Sequence, residues 1–78
     1  MDIINGKSVS WEDELEATTS IRFVGTGAKD SIRNYEGLSK DIAKLPKADE
    51  LATGSSFLAL DTAEVYKYEQ TTKTWFLL

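Results

Sequence analysis

GSSFLALDTAEVYKYEQTTKTWFLL, residues 54–78, decides the fold of this chain. Within it Phe57-Leu58-Ala59-Leu60, Val65-Tyr66-Lys67-Tyr68 and Thr74-Trp75-Phe76-Leu77-Leu78 are aliphatic, aromatic and β-branched runs. Asp61-Thr62-Ala63-Glu64 and Glu69-Gln70-Thr71-Thr72-Lys73 separate them. The first residue types suit a pleated, half-buried surface, and Asp and Thr bond readily to their own backbone at turns. The stretch therefore predicts a three-stranded antiparallel meander. Alternate residues of a strand point to opposite sides, so Phe57 and Ala59 oppose Leu58 and Leu60, Val65 opposes Tyr66 and Tyr68, and Trp75 and Leu77 oppose Phe76 and Leu78. Both faces are apolar, whereas an antiparallel sheet ordinarily leaves one face polar. The uncovered face is expected to be a contact surface.

Upstream the signals are shorter. Asn5-Gly6 between β-prone flanks predicts a hairpin over residues 2–9. Ser10-Trp11-Glu12-Asp13-Glu14-Leu15-Glu16-Ala17 reads as one capped helical turn, with Ser10 as N-cap and acids where the helix dipole favours them. Residues 18–24, Thr-Thr-Ser-Ile-Arg-Phe-Val, predict a strand that Gly25-Thr26-Gly27 ends. Residues 34–38 read as extended or turning, residues 39–44 as a short helix capped by Ser39 and stopped before Pro46, and residues 46–55 as a surface loop. The whole is a mainly β domain, with a small α+β arrangement as the variant: an N-terminal hairpin and strand, a C-terminal meander, and one or two short helices.

Composition narrows the functions available. Seventy-eight residues bury only about 60% of their unfolded surface, enough for one domain and one core. There is no Cys and no His, so disulfides, thiolate metal sites and the common nucleophile–base pairs are all excluded. The expectation is no enzyme activity, no cofactor and no structural metal. A net charge of −4, from 9 Lys and Arg against 13 Asp and Glu, disfavours nucleic acid, whose phosphates attract basic surfaces. No apolar run approaches the roughly 20 residues that span a bilayer, and the first residues do not resemble a secretory leader. A soluble, unprocessed protein without a membrane partner is expected.

Three clusters could hold chemistry, and each has a plainer reading. Glu12, Asp13, Glu14 and Glu16 could gather a hard cation, but they lack the spacing of a calcium loop and read as a solvated first helical turn. Gly25-Thr26-Gly27-Ala28-Lys29-Asp30-Ser31 lacks the spacing that wraps a phosphate, and reads as a loop. Tyr66, Tyr68 and Trp75 could form a platform that stacks on sugars, but cross-strand aromatic pairs more often stabilise the sheet itself. Trp75 is assigned to the core. Tyr66, Tyr68, Phe76 and Leu78 form the candidate interaction surface.

The pattern Tyr35-x-Gly37-Leu38-Ser39-x-Asp41, Leu45-Pro46, Thr53-Gly54-Ser55-x-Phe57-Leu58-x-x-Asp61-Thr62-x-x-Val65-Tyr66-x-Tyr68 and Lys73-Thr74-Trp75 resembles a module of small virion-associated proteins of tailed bacteriophages and prophages. That family includes head-fibre, capsid-associated and tail-associated proteins. The resemblance covers residues 35–78, leaves residues 1–34 unplaced and carries over no catalytic residue. Where the family commonly has Gly after Asp-Thr, this chain has Ala63, so the turn is expected not to need positive φ there. The resemblance implies a structural or adaptor component of a particle, found in the virion or the host cytoplasm, whose partners are other virion proteins or further copies of itself. Two alternatives stand beside it: a glycan-binding accessory module that uses exposed aromatics, and a small acidic regulator of a protein partner.

Overall fold

The computed structural model describes residues 10–78, so the hairpin expected over residues 2–9 lies outside the described residues. The first element is the α-helix α1, Ser10–Thr18, nine residues long and hence more than the single turn expected. Glu12 and Asp13 sit in its first turn, where the exposed amides favour negative charge. Trp11 and Leu15, one turn apart, pack against the core. At its end the Thr18 and Thr19 hydroxyls bond back to the Glu14 and Leu15 carbonyls at 2.9 and 2.7 Å, a geometry that competes with helix continuation.

Five strands follow: β1 (Arg22–Thr26), β2 (Arg33–Gly37), β3 (Ser56–Ala59), β4 (Glu64–Glu69) and β5 (Thr74–Leu77). They form one sheet in the order β1-β2-β3-β4-β5. β3, β4 and β5 are the expected antiparallel meander, with Phe57 opposite Tyr66 and Tyr68 opposite Trp75. β1 departs from its expected span at both ends. The helix retains Thr18, while pairing with β2 carries the strand through Gly25 and Thr26 by way of a bulge between Phe23 and Gly25, so Gly25 lies at a bend within the strand, which ends just before Gly27.

β2 and β3 run parallel, and a parallel pair requires a crossover. Residues 38–55 supply it, as a 3-10 helix, Ser39–Lys44, followed by a loop. Ser39 is not the cap of that helix: Leu38 holds the cap position without a side-chain bond. The Ser39 amide and hydroxyl instead donate to the Asp61 carboxylate at 2.9 and 2.7 Å, which ties the crossover to the β3–β4 turn. The loop is not wholly superficial, since Leu51 and Ser55 are fully buried.

The helix and the crossover lie on one face of the sheet. There Tyr35, Phe57, Ala59 and Tyr68 join Ile21, Leu45 and Leu51 in the core, with Trp11, Phe23, Ile42, Tyr66 and Trp75 packed around them. Trp75, placed in the core from sequence, is only partly buried at its edge, where it meets Tyr68 with ring centroids 5.0 Å apart. Its indole N–H donates to the Pro46 carbonyl at 2.8 Å. Gly37 allows the close approach of sheet and chain before β1, because a Cβ there would lie 3.0 Å from the Ser20 carbonyl oxygen and 3.1 Å from Ile21 Cα.

The two meander turns share a design. Ala63 and Lys73 both take positive φ, 61° and 52°, immediately before the returning strand. For Ala63 this overturns the expectation drawn from the missing glycine. The Ala63 amide donates to the Ala59 carbonyl at 2.7 Å, and this closure holds a left-handed residue that an L side chain ordinarily avoids.

Candidate functional site

Among the described residues, the covered face contains four buried polar side chains, Glu12, Arg33, Asp41 and Ser55. Each is bonded within the fold. Glu12, expected among solvated acids, is only 1% exposed. Its Oε2 accepts from Arg33 Nε and, at 2.6 Å, from the Tyr35 hydroxyl, while Oε1 accepts from the other end of the guanidinium at 3.0 Å. The Trp11 indole N–H donates to the Tyr35 oxygen at 3.2 Å, and the guanidinium lies 4.3 Å from the Phe23 ring centroid. Burial, followed by the bond to Glu12, pushes the Tyr35 hydroxyl well above its ordinary pKa. Burial works against the Arg33 charge, but the bonds and charge of Glu12 outweigh it and raise the guanidinium pKa. Such a cluster clamps α1 onto β2.

Asp41 and Ser55 act similarly. The Ser20 hydroxyl and amide donate to Asp41 at 2.7 and 2.9 Å and lower its pKa to about 2. The Ser55 hydroxyl accepts from the Arg33 amide at 3.0 Å and donates to the Ala52 carbonyl at 2.8 Å. No buried side-chain polar atom among the described residues is left unbonded. Nothing local in the sequence marks Glu12 and Arg33 as partners, since 21 residues separate them. A shallow cavity of about 310 Å³ lies where Trp11 and Leu15 meet Lys44 and Pro46. The indole N–H beside it is already committed to Tyr35.

The structure divides the candidate interaction residues between the two faces. Tyr68 is 1% exposed and belongs to the core, and Tyr66 lies half-buried on the same side against Phe57, ring centroids 6.2 Å apart. These tyrosines therefore offer no shared open platform. Phe76 and Leu78 point the other way and are 51% and 77% exposed. With them on the outer face stand Leu58, directly opposite Val65, and Val65 itself, whose carbonyl accepts from the Leu78 amide at 2.9 Å. Leu60, just beyond β3, adds another exposed aliphatic side chain. Towards β2 the same face turns polar, where the Ser56 hydroxyl donates to the Asn34 side-chain oxygen at 2.8 Å.

The outer face is thus apolar where Phe76 and Leu78 stand near Val65 and Leu58, and polar further along β4 and β5, where Lys67 lies opposite Phe76 and Glu69 opposite Thr74. β5 closes the order of strands without a further neighbour among the described residues. This surface has the chemistry of contact: aliphatic and aromatic side chains beside an open strand edge. Among the described residues no group of three or more His, Cys, Asp or Glu side chains is placed to hold a metal ion, and no helix is long and apolar enough to cross a membrane. Comparison with protein-family models, with curated proteins and with solved structures finds no match.

Proposed function

We propose that the chain is a non-enzymatic structural or adaptor component of a phage or prophage particle, acting through the outer face of its sheet by docking or self-assembly. The observation that carries this reading is the division of the sheet. The helix and crossover pack on one face, and exposed Phe76 and Leu78 stand with Leu58 and Val65 on the other, while exposed Leu77 lies at the margin of the covered face. An apolar patch bounded by polar residues is a usual mark of a protein–protein contact. The resemblance of residues 35–78 to virion-associated modules supplies the setting, and the net charge of −4 favours protein partners over nucleic acid. The glycan-binding alternative is weakened by the burial of Tyr68 and the inward placement of Tyr66.

The test is co-sedimentation of the tagged protein with particles from an induced lysogen, with a Phe76→Ser, Leu78→Ser variant beside it. The native chain is expected to travel with particles and the folded variant to be released. Absence of the native chain from particles would overturn the reading.

A further inference from the structure

The two edges of the sheet differ in a way that matters for assembly. Edge strands of monomers are commonly blunted by charge, proline or a bulge, because open backbone groups recruit another strand. β1 is blunted: it begins with Arg22 and carries the bulge between Phe23 and Gly25. β5, Thr-Trp-Phe-Leu, has no charge, no proline and an unbroken register against β4.

The register also fixes which groups of β5 have no backbone partner among the described residues. The Leu78 amide bonds to the Val65 carbonyl, and antiparallel ladders alternate hydrogen-bonded and non-bonded pairs. The pairs Lys67 with Phe76 and Glu69 with Thr74 are therefore bonded, while Tyr66 with Leu77 and Tyr68 with Trp75 are not. The peptide groups of Trp75 and Leu77 consequently face away from β4.

We propose that β5 pairs antiparallel with β5 of a second copy about a two-fold axis through Phe76, making one continuous sheet of two chains. This rests on the self-assembly reading above and specifies its surface. In that register the open groups of Trp75 meet those of Leu77 in the second copy, and reciprocally, so four hydrogen bonds form between the residues whose peptides face outward. Trp75 lies against the second copy's Leu77 on the covered side. Phe76 meets its own counterpart on the outer side, extending the apolar patch across the axis. The choice of a second copy over another strand follows from this self-match and from charge. The strand is neutral in a chain of net charge −4, so the two-fold brings no like charges together along it.

Two variants of the full chain test this, with mass measured by light scattering. The native chain is expected to reach twice its 8.7 kDa mass. Leu77→Pro removes an amide that β4 does not use, so it should halve the observed mass while circular dichroism stays near native and the melting temperature matches that of the native chain diluted to monomer. Phe76→Cys adds the sole thiol to a chain without cysteine. A non-bonded antiparallel pair places Cα atoms about 4.5 Å apart, within disulfide range. Mild oxidation should convert Phe76→Cys to a covalent dimer at least tenfold faster than Thr71→Cys, which sits in the exposed β4–β5 turn. A native chain monomeric at every concentration, a dimer untouched by Leu77→Pro, or equal cross-linking of the two cysteine variants would each overturn the pairing. A monomer that still co-sediments with particles overturns the pairing alone and leaves the docking reading intact.

Discussion

Phe57 and Phe76 are the same side chain on neighbouring parts of one sheet, yet the first is fully buried and the second is 51% exposed. Phe57 faces the layer made by α1 and the crossover, while Phe76 faces away from it. The contrast teaches that apolarity on both sides of a strand has two causes here. On the covered face it makes the core, supported by buried polar clamps that hold the covering layer in place. On the outer face no described element uses it, so its role is sought in contact between molecules.

Truncation of a buried ring separates the two faces most strongly. Phe57→Ala should cost about 3 to 5 kcal/mol, as deletion of a buried ring does, and could unfold so small a domain. Denaturant unfolding read by tryptophan fluorescence measures it, and near-native stability would show that the covered face is not the core. Glu12→Ala belongs to the same range, about 3 to 5 kcal/mol, because it leaves the Arg33 charge buried without its carboxylate. The same titration measures it, and a near-native midpoint would mean that the clamp contributes little to holding α1.

Acid weakens the Asp41 clamp. Folding lowers the Asp41 pKa from 3.8 to about 2, so the folded state binds that proton more weakly than the unfolded chain. Its contribution is therefore present above the unfolded value and is lost as pH falls through the folded one. Melting temperature should drop between about pH 4 and pH 2, and Asp41→Asn should lower it at neutral pH and flatten that decline. An unchanged acid profile in the variant would remove Asp41 from the account.

Smaller effects probe the outer side and its turns. Ala63→Gly should raise stability by about 1 kcal/mol, because glycine takes positive φ without the strain that alanine bears. Denaturation midpoints would show it, and a loss of stability would mean that the alanine methyl packs. Phe76→Ala, measured on dilute protein, should shift stability by about 0.5 kcal/mol or less, as exposed substitutions do. A large loss would show that Phe76 is structural after all.

The meander was legible because its strands and turns alternate cleanly between apolar runs and Asp, Thr and Glu. The parallel β2–β3 pair was not. Arg33-Asn34-Tyr35-Glu36-Gly37 has no β-branched residue, and its strand character comes from neighbours on both sides rather than from propensity. The burial of Glu12 was hidden for a related reason, since only the folded sheet brings Arg33 to it. Ala63 misled in the opposite way: residue preference argued against positive φ, and the closure of the turn onto Ala59 imposed it. The candidate surface was half legible. Alternation sorts the faces within each strand but does not match the faces of neighbouring strands, so the sequence groups Tyr66 and Tyr68 with Phe76 and Leu78, which the register divides. Which side the helix and crossover would cover depends on the chain's path.

Hydrogen exchange at the β5 amides, followed from dilute to concentrated protein, tests most directly whether this edge is open in one copy and closed between two. The Phe76 amide, bonded to β4, should be protected at every concentration. The Trp75 and Leu77 amides should exchange rapidly in dilute protein and become protected as concentration rises. Rapid exchange of both at every concentration would contradict pairing between copies, and protection of both even in dilute protein would contradict an open edge.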